Sequence, residues 1–539
     1  MGNMGNKGIR KRFIPHISHI PLISLISLIS LFPLYSIAQE VPPVKNLAVP
    51  PKDESPNLKP ATPAEDSTKA GMPKSSSLRI MTLEEVVSMA KEGSPASKQA
   101  HAQYANSYWT YRTYKSNYLP QLGLNGTVPS FNRGFNPYTY SDGHVGYIQQ
   151  SSASSNLNLG LSQNIGLTGS NISVGSNLAR TDNFTGENKL SYAANPLFIS
   201  FNQPSFKFNP YKWDQKIQPM VYEESKRQFI ENMESVAEQA TGFFFGLLLA
   251  QVNLEIAQKN LANNDTLYHI SMGRYNLGKI AENDLLQMEL SVMTSQNAVS
   301  QGMLDVQLGM LQLKNFLKIQ GNDSIFLIEP INIPQFNVDL QQAMLEAKQN
   351  RSDIIAIELG RVQAEYSLAQ AKGTTGFVAN LQASYGLTNS TIALKNLYNK
   401  PQDQQNLIIG FTLPIVDWGL KQSKIRTAIE NKNVADIIAL QAEQKFEQDI
   451  FLLVTQFGMY REKLKIAIKS DTIAMKRYDI TMKRYMIGKV GILDLNLALQ
   501  EQIQSKRSYV QALSDFWSAY YDLRKKTLYD FERNSLIKY

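Results

Sequence analysis

The sequence of 539 residues predicts a mixed α+β membrane protein, in which β-strands form the wall of a barrel and long helices continue from that wall. Three observations carry this prediction: an internal tandem repeat, segments in which apolar and small polar residues alternate, and helical stretches too long for a compact globular domain. The chain also exceeds the roughly 250–300 residues at which one hydrophobic core stops growing. Two modules are therefore expected rather than one core.

Composition and charge narrow the classes of function. The chain has no cysteine and five histidines, which excludes disulfide scaffolds and thiolate metal sites and leaves little for imidazole chemistry. Lys and Arg exceed Asp and Glu by 54 to 46, a net charge of +8, and four of the basic residues lie in the first 38 positions. The remaining excess is too small to indicate nucleic acid as a partner. Because no catalytic or metal-binding motif is present either, we expect neither an enzyme nor a cofactor.

The N-terminal region is typical of an export signal followed by a flexible leader. In residues 1–38 a basic segment, Lys7–Arg12, precedes an apolar run, Ile20–Ile37, and Ser36–Ala38 has the small-x-small pattern of a cleavage site. A membrane-spanning helix is the alternative for this run, but its prolines and serines disfavour that alternative. Residues 39–79 are polar and rich in proline, so we expect a disordered leader that buries little apolar area.

The rest of the chain is an internal duplication. Leu197–Leu290 aligns with Leu407–Gln500 at a constant offset of 210 residues, while Leu83 aligns with Leu340 at an offset of 257 residues. The first copy therefore contains about 47 extra residues ahead of Leu197. The predicted divisions after the leader are a first repeat, a second repeat and a C-terminal tail: residues 80–330, 331–530 and 531–539.

Each repeat contains segments that alternate with a period of two. In residues 380–388 every second residue is apolar and the others are small or polar, and Leu407, Ile409 and Phe411 continue the pattern. One apolar face and one small polar face fit a barrel wall with lipid outside and water inside. A strand of a soluble β-sandwich has the same alternation, so the pattern alone leaves both alternatives open.

Long helical stretches follow the strands in both repeats. Lys212–Ile319 contains a single proline and Gly419–Tyr529 contains none. Asn276–Gly278 and Met486–Gly488 lie within these stretches and are predicted to be turns. Each stretch is then a hairpin of two arms of about 50 residues, roughly 75 Å long at 1.5 Å per residue.

At the two turns and at the ends of the strands the sequence resembles a known family, the TolC-like outer membrane efflux factors of diderm bacteria. The resemblance lies in an Arg-Tyr-x-x-Gly motif that occurs once per repeat, at Arg274–Gly278 and Arg484–Gly488, and in the strand-to-helix segment Leu413–Gly419. It covers about residues 80–530, with both copies of the motif at one fixed offset.

The resemblance implies a location, an assembly and a set of partners. It implies an outer membrane homotrimer whose chains share one barrel, in contact with lipid, and whose helices form a tunnel into the periplasm. The implied partners are a periplasmic adaptor protein and an inner-membrane pump of the resistance-nodulation-division or ABC type. The implied function is a passive conduit that exports small molecules from the periplasm or, with pump and adaptor, from the cell. A non-conducting periplasmic coiled-coil scaffold is the alternative.

The sequence is compatible with two different numbers of strands in the shared barrel. About four strands per chain are expected, giving twelve in a trimer. The extra residues of the first repeat include two further alternating segments, residues 156–161 and 172–178. These segments form either a surface loop or a further strand pair, which would raise the total to about eighteen. We favour twelve.

The resemblance also assigns roles to residues at the ends of the helices. The strand-to-helix turns are expected at Pro204, Pro414, Asp417 and Gly419. The adaptor is expected to dock on the tips of the two helical hairpins, at residues that surround the two turn glycines: Arg274, Tyr275, Gly278, Lys279, Arg484, Gly488 and Lys489. Ordinary turn chemistry is the alternative for the two tip glycines, since glycine adopts positive φ readily.

The periplasmic gate is expected to be closed by polar links between the tip helices. By the pattern of the family, Asp284 faces Tyr485 of the other hairpin, and Asp494 contributes one carboxylate per chain to a ring of three. A favourable position near the positive end of the helix dipole is the alternative for both acids. Val490 and Leu497 stand where the family has a further arginine link and a second acidic ring, so the resemblance leaves open how strong the closed gate is and how well it binds cations.

Overall fold

The structure is a computed structural model that describes residues 78–185, 190–321 and 323–539. The predicted signal peptide, and the predicted leader up to residue 77, lie outside these residues. The first element, β1, begins at Leu78, so the last two residues of the predicted leader belong to this strand.

In both repeats two shorter helices are followed by strands and then by two long helices. The first repeat consists, in chain order, of β1 (Leu78–Met81), α1 (Leu83–Gly93), α2 (Pro95–Ser116), β2 (Gln121–Thr139), β3 (Val145–Ile165), β4 (Ser170–Asn183), β5 (Leu190–Gln203), α3 (Pro210–Asn276), α4 (Glu282–Leu317) and β6 (Ser324–Leu327). The second repeat consists of α5 (Leu340–Asn350), α6 (Ser352–Thr374), β7 (Val378–Thr391), β8 (Gln402–Thr412), α7 (Leu420–Met486), α8 (Ile492–Thr527), β9 (Tyr529–Asp530) and β10 (Ser535–Leu536).

The long helices of the two repeats have equal lengths. α3 and α7 have 67 residues each, and α4 and α8 have 36 residues each. The turns lie where the sequence predicts them, but they divide each hairpin unevenly, so the expectation of two arms of about 50 residues is wrong. An α-helix of 67 residues is about 100 Å long at 1.5 Å per residue, far beyond the size of a compact domain.

The largest sheet is antiparallel and has six strands, in the order β2-β3-β4-β5-β7-β8. Four of these strands come from the first repeat and two from the second. The expectation of about four strands per chain is therefore wrong. The extra residues of the first repeat form a strand pair because their alternation continues the pattern of the neighbouring strands. Among the described residues no second sheet of similar size is present, so the sandwich alternative is wrong as well.

The hydrophobic core lies where the middle of α3 packs against the C-terminal half of α8. Phe244, Leu247, Leu513 and Phe516 are fully buried in it, and α1, α5 and the short β1–β6 pair close around it. α3 includes a window long and apolar enough to cross a membrane, but half of that window is buried inside the chain. Burial in this core accounts for its apolar character.

Candidate functional site

The six-stranded sheet has one continuous apolar face. The register aligns Leu122 with Leu161, Leu161 with Val174, and Val174 with Ile199 in one row across four strands. The apolar residues on this face are Leu122, Leu124, Leu157, Leu159, Leu161, Ile172, Val174, Leu178, Leu197, Ile199, Phe201, Leu381, Leu387, Leu407, Ile409 and Phe411. Leu122, Ile409 and Phe411 are each about 70 % exposed, so none of the described residues covers this face. An uncovered apolar face of this extent indicates contact with lipid.

The opposite face of the sheet is polar and carries no charge. Asn125, Asn158, Asn177 and Asn195 form one row across four strands, and Ser173 and Ser200 hydrogen-bond side by side at 2.6 Å. No Asp, Glu, Lys or Arg lies on this face in the six described strands. The charged residues of these strands lie on the apolar-face side, towards the ends farthest from the helices: Arg133, Arg180, Asp182 and Asp403.

Both edges of the sheet lack a pairing strand among the residues that the structure describes. β2 and β8 each pair on one side only, and their residues are almost all exposed. A strand edge with unpaired backbone N–H and C=O groups is not tolerated in lipid. A single chain therefore supplies a segment of barrel wall and not a closed barrel.

The strand-to-helix turns are capped by side-chain hydrogen bonds. Asp417 accepts the backbone N–H groups of Gly419 at 3.0 Å and Lys421 at 3.1 Å, and Gly419 has a positive φ of 82° that suits glycine. Pro204 directly follows β5 and Pro414 comes two residues after β8. Both prolines are exposed and remove backbone donors just beyond the sheet.

Asn209 caps α3 and was not foreseen from the sequence. Its Oδ1 accepts the backbone N–H groups of Tyr211 at 3.0 Å and Lys212 at 3.3 Å. Its Nδ2 donates to the carbonyl oxygens of Gly166 at 2.8 Å and Leu167 at 3.0 Å, in the turn between β3 and β4. An Asn followed by proline signals a helix start, but the second pair of bonds is visible only in three dimensions.

The two hairpin tips have the same backbone hydrogen bonds. The N–H groups of Gly278 and Lys279 donate to the carbonyls of Tyr275 and Arg274, and those of Gly488 and Lys489 donate to the carbonyls of Tyr485 and Arg484. Both glycines have positive φ, 66° and 73°, as a helix C-terminus of this kind requires. Around both turns the predicted tip residues Tyr275, Gly278, Lys279, Arg484, Gly488 and Lys489 are exposed.

Arg274 differs from its repeat partner, because it faces the other hairpin. Its guanidinium donates to the carbonyl oxygen of Met486 at 3.1 Å and lies 5.5 Å from the ring centre of Tyr485. Arg484, at the equivalent position in the second repeat, is exposed. Arg274 therefore joins the two hairpins through a hydrogen bond and a cation–π contact.

Of the predicted gate residues, Tyr485 is buried between the hairpins, Asp284 is half-buried in the first turn of α4, and Asp494 is exposed in the first turn of α8. The hydroxyl of Tyr485 lies 3.4 Å from Ser271 Oγ. Within the part of the chain that the structure describes, no hydrogen bond joins Tyr485 to Asp284. Tyr485 therefore lies between the two hairpins, as expected, but its neighbour there is Ser271, which the sequence did not suggest.

A second polar link joins the hairpins further from the tip. Asn263 donates through Nδ2 to the hydroxyl of Tyr478 at 3.0 Å, in a cluster that includes Leu267, Met288 and Leu495. Burial raises the pKa of Tyr478, so its hydroxyl stays protonated at neutral pH. Tyrosines at a fixed spacing in both repeats are the only sequence signal for this cluster.

A buried ion network joins the two repeats in the main core. Glu234 is fully buried and binds Lys91 Nζ at 3.0 Å and Arg524 Nε at 2.9 Å, and Arg524 also pairs with Asp530. Burial lowers the pKa of Lys91, and the Glu234 carboxylate opposes that shift. These partners lie 143 and 290 residues apart in sequence, which no local pattern reveals.

The fold and the two-faced sheet define the class of an outer membrane channel with a helical extension. Residues 343–527 match the family model described as outer membrane efflux protein. No curated protein matches the chain significantly by sequence. This match covers most of the second repeat, about a third of the chain, and the family it describes is that of the TolC-like channels.

Solved channel structures are similar to the whole fold at low sequence identity. The Campylobacter jejuni CmeC outer membrane channel is 15 % identical, with a TM-score of 0.60, over 92 % of this chain and 95 % of that chain. The open state of the Neisseria gonorrhoeae MtrE outer membrane channel is 17 % identical, with a TM-score of 0.56, over 83 % and 88 %. The Vibrio cholerae outer membrane protein VceC is 14 % identical, with a TM-score of 0.57, over 83 % and 95 %.

These findings confirm the fold class and family that the sequence predicts. The fold is that of TolC-like outer membrane efflux channels, which are non-enzymatic transporters with a helical part that extends into the periplasm. Channels of this family typically form trimers and work in tripartite pumps.

Proposed function

We propose that three copies of this chain close one barrel and one helical tunnel, and that the assembly is a passive exit conduit driven by partner proteins. The observation that supports this most directly is the sheet with one apolar face, one uncharged polar face and two free edges. Such a wall is stable in lipid only when its edges are paired by neighbouring copies.

A conduction measurement distinguishes this conduit from a non-conducting periplasmic scaffold. The purified protein is expected to run as a heat-modifiable trimer from outer membrane fractions and to conduct ions in planar lipid bilayers. The same preparation after boiling provides the control, since dissociated chains have unpaired strand edges. A monomer that is found in the soluble periplasmic fraction and never conducts would contradict the proposal.

The exposed basic side chains at the tips are the proposed docking site for a periplasmic adaptor. Lys279, Arg484 and Lys489 are exposed at the turns. Their charge suits an acidic partner surface. The adaptor, in turn, would couple the conduit to an inner-membrane pump of the resistance-nodulation-division or ABC type.

Charge reversal at the tips tests this docking site. Lys279→Glu combined with Lys489→Glu is expected to reduce the amount of adaptor that co-purifies, while trimers form normally. Lys469→Glu is the matched control, because Lys469 is exposed on the same helix as the second tip but about 26 Å from the helix end. Equal recovery of adaptor with all variants would contradict the docking role.

Asp284, Tyr485 and Asp494 are the proposed periplasmic gate. Asp284 lies in the first turn of α4, Asp494 in the first turn of α8 and Tyr485 at the end of α7, so all three are near the tips. Three copies of Asp494 would bring like charges together at a narrow mouth and attract cations. Asp284→Ala and Tyr485→Phe are expected to raise the conductance of the resting channel and antibiotic uptake by cells. Unchanged conductance and uptake in both variants would refute the gate.

A further inference from the structure

The strand pair β3–β4 is an integral part of the sheet. β4 pairs with β3 from Asn183 to Ser170 and pairs on its other side with β5 from Asn171 to Asp182. The pair therefore lies between β2 and β5 and increases the width of the sheet by two strands. A strand within a barrel wall must alternate apolar and polar residues so that each side chain faces lipid or water correctly, whereas a hairpin outside the wall has no such requirement.

Both faces of the inserted pair match the faces of the neighbouring strands. Leu157 is aligned with Leu178 on the apolar face, and Asn158 with Asn177 on the polar face. Rows such as Asn125, Asn158, Asn177 and Asn195 continue from β2 through β5, and the register shifts only between Thr127 and Ser130 and between Gly175 and Asn177. β3 and β4 therefore have the same lipid side and the same water side as the rest of the wall.

The turn between β3 and β4 is fixed to the base of the wall. Asn209 Nδ2, at the start of α3, donates to the carbonyls of Gly166 and Leu167 at 2.8 and 3.0 Å. Gln203 Nε2, almost fully buried at the end of β5, donates to the carbonyl of Thr168 at 3.0 Å. A hairpin that folded away from the wall would lose all three bonds.

We infer that the exit barrel of this channel has eighteen strands, and that its bore is wide and indifferent to the charge of the cargo. The inference rests on the proposed trimer, to which each copy contributes six strands. With a strand spacing of about 4.8 Å and a tilt of about 40°, eighteen strands give a backbone diameter of about 36 Å, and twelve strands give about 24 Å. The enclosed cross-section is about 2.2-fold larger.

The width of the barrel and its uncharged inner surface together determine which cargo can pass through the barrel. Barrels of 16 to 18 strands leave an open aqueous channel. Asn, Ser, Gln, Thr and Gly predominate on the water side, which also includes Phe198 and Ile408. No Asp, Glu, Lys or Arg of the six described strands lies on this side, so neither cations nor anions are repelled there. The barrel therefore accepts bulky cargo of either charge, and selection is left to the helical tip and to the partner proteins.

Single-particle cryo-electron microscopy of the full-length trimer in lipid nanodiscs tests the strand count. Eighteen strands in a closed ring are expected. A trimeric ring of twelve strands, with β3 and β4 outside the wall, would overturn this inference and leave the proposed conduit intact. A protein that forms no trimer would overturn the proposed function, and the wide barrel with it.

A deletion variant tests the width itself. Removal of residues 145–183 takes out β3, β4 and their turn and leaves β2 and β5 antiparallel neighbours. Dextrans of graded size, in neutral, cationic and anionic forms, are added to the barrel side of channels in planar bilayers. Wild type is expected to admit larger dextrans than the deletion variant, with the same size limit for all three charges. An equal limit for both channels, or a limit in wild type that depends on charge sign, would overturn the inference.

Discussion

The two repeats have equal helices and unequal sheets. α3 and α7 have the same length, as do α4 and α8, whereas the first repeat contributes four strands to the wall and the second contributes two. The offset between the repeats falls from 257 residues at α1 and α5 to 210 residues at α3 and α7, so the difference of 47 residues lies between these helices. The two repeats therefore have long helices of the same length but differ by one strand pair in their contribution to the wall.

A physical reason for this contrast lies in how each part is closed. A helical hairpin of one repeat must match the length of its neighbour, because their turns lie together at the tip. The sheet closes only between chains, so it accepts two more strands when their faces and register are compatible. The following predictions test this comparison.

The largest effect is expected from a charge on the apolar face of the sheet. Ile199→Lys places a cation in lipid, which costs about 2–4 kcal/mol per chain at the bilayer midplane, and should abolish assembly in the outer membrane. Ser200→Lys is the matched control, because the adjacent residue lies on the polar face of the same strand. The amount of heat-modifiable trimer in outer membrane fractions reports both. Similar trimer levels for the two variants would mean that the faces are assigned wrongly.

The next effect concerns an ion pair that the repeats do not share. Glu234→Gln leaves Lys91 and Arg524 without their buried carboxylate and should destabilise the fold by about 3–5 kcal/mol. Glu447→Gln breaks the exposed pair with Lys348, the repeat partner of Lys91, and should cost less than about 1 kcal/mol. The midpoints of urea unfolding in detergent measure the difference. Equal midpoints would contradict a structural role for the buried network.

A smaller effect is expected from the two tip arginines. Arg274→Ala removes the bond to the Met486 carbonyl and the contact with Tyr485, so it should raise the resting conductance. Arg484→Ala removes an exposed side chain at the equivalent position and should leave the resting conductance unchanged. Single-channel recordings in planar bilayers separate the two variants. An equal increase in resting conductance for Arg484→Ala and Arg274→Ala would contradict a special role for the contacts that Arg274 makes with the other hairpin.

The smallest effect should be the same in both repeats. Gly278→Ala and Gly488→Ala each place a Cβ at a positive φ in open space, so each is expected to cost about 1 kcal/mol of local stability. Hydrogen exchange of the backbone amides around each turn measures this loss. A clear difference between the two turns would contradict their equivalence.

The sequence predicts the parts of this molecule that local rules determine. The tip glycines and the helical runs follow from proline spacing, turn residues and the internal repeat, and the strand-to-helix turn at Asp417 follows from the resemblance to the family. The strand count was predicted wrongly, because alternation in residues 156–161 and 172–178 is equally compatible with a surface hairpin until its pairing partners are known.

Contacts between distant residues could not be predicted in the same way. Ser271 approaches Tyr485 across 214 residues of sequence, and Asn209 binds a turn more than 40 residues upstream. The uncharged water side of the sheet is, by contrast, present in the sequence, but it is visible only once the register shows which residues share a face.

The closure of the wall between copies can be tested directly by disulfide cross-linking, because the chain has no cysteine of its own. Asn125→Cys on β2 is combined in turn with Gln404→Cys or Asn406→Cys on β8, all three on the polar face. Asn177→Cys with Asn406→Cys is the control, since β4 is not an edge strand. We predict covalent trimers on non-reducing gels for at least one β2–β8 pair and none for the control. The absence of cross-linked trimers for every β2–β8 pair would contradict closure of the barrel between copies.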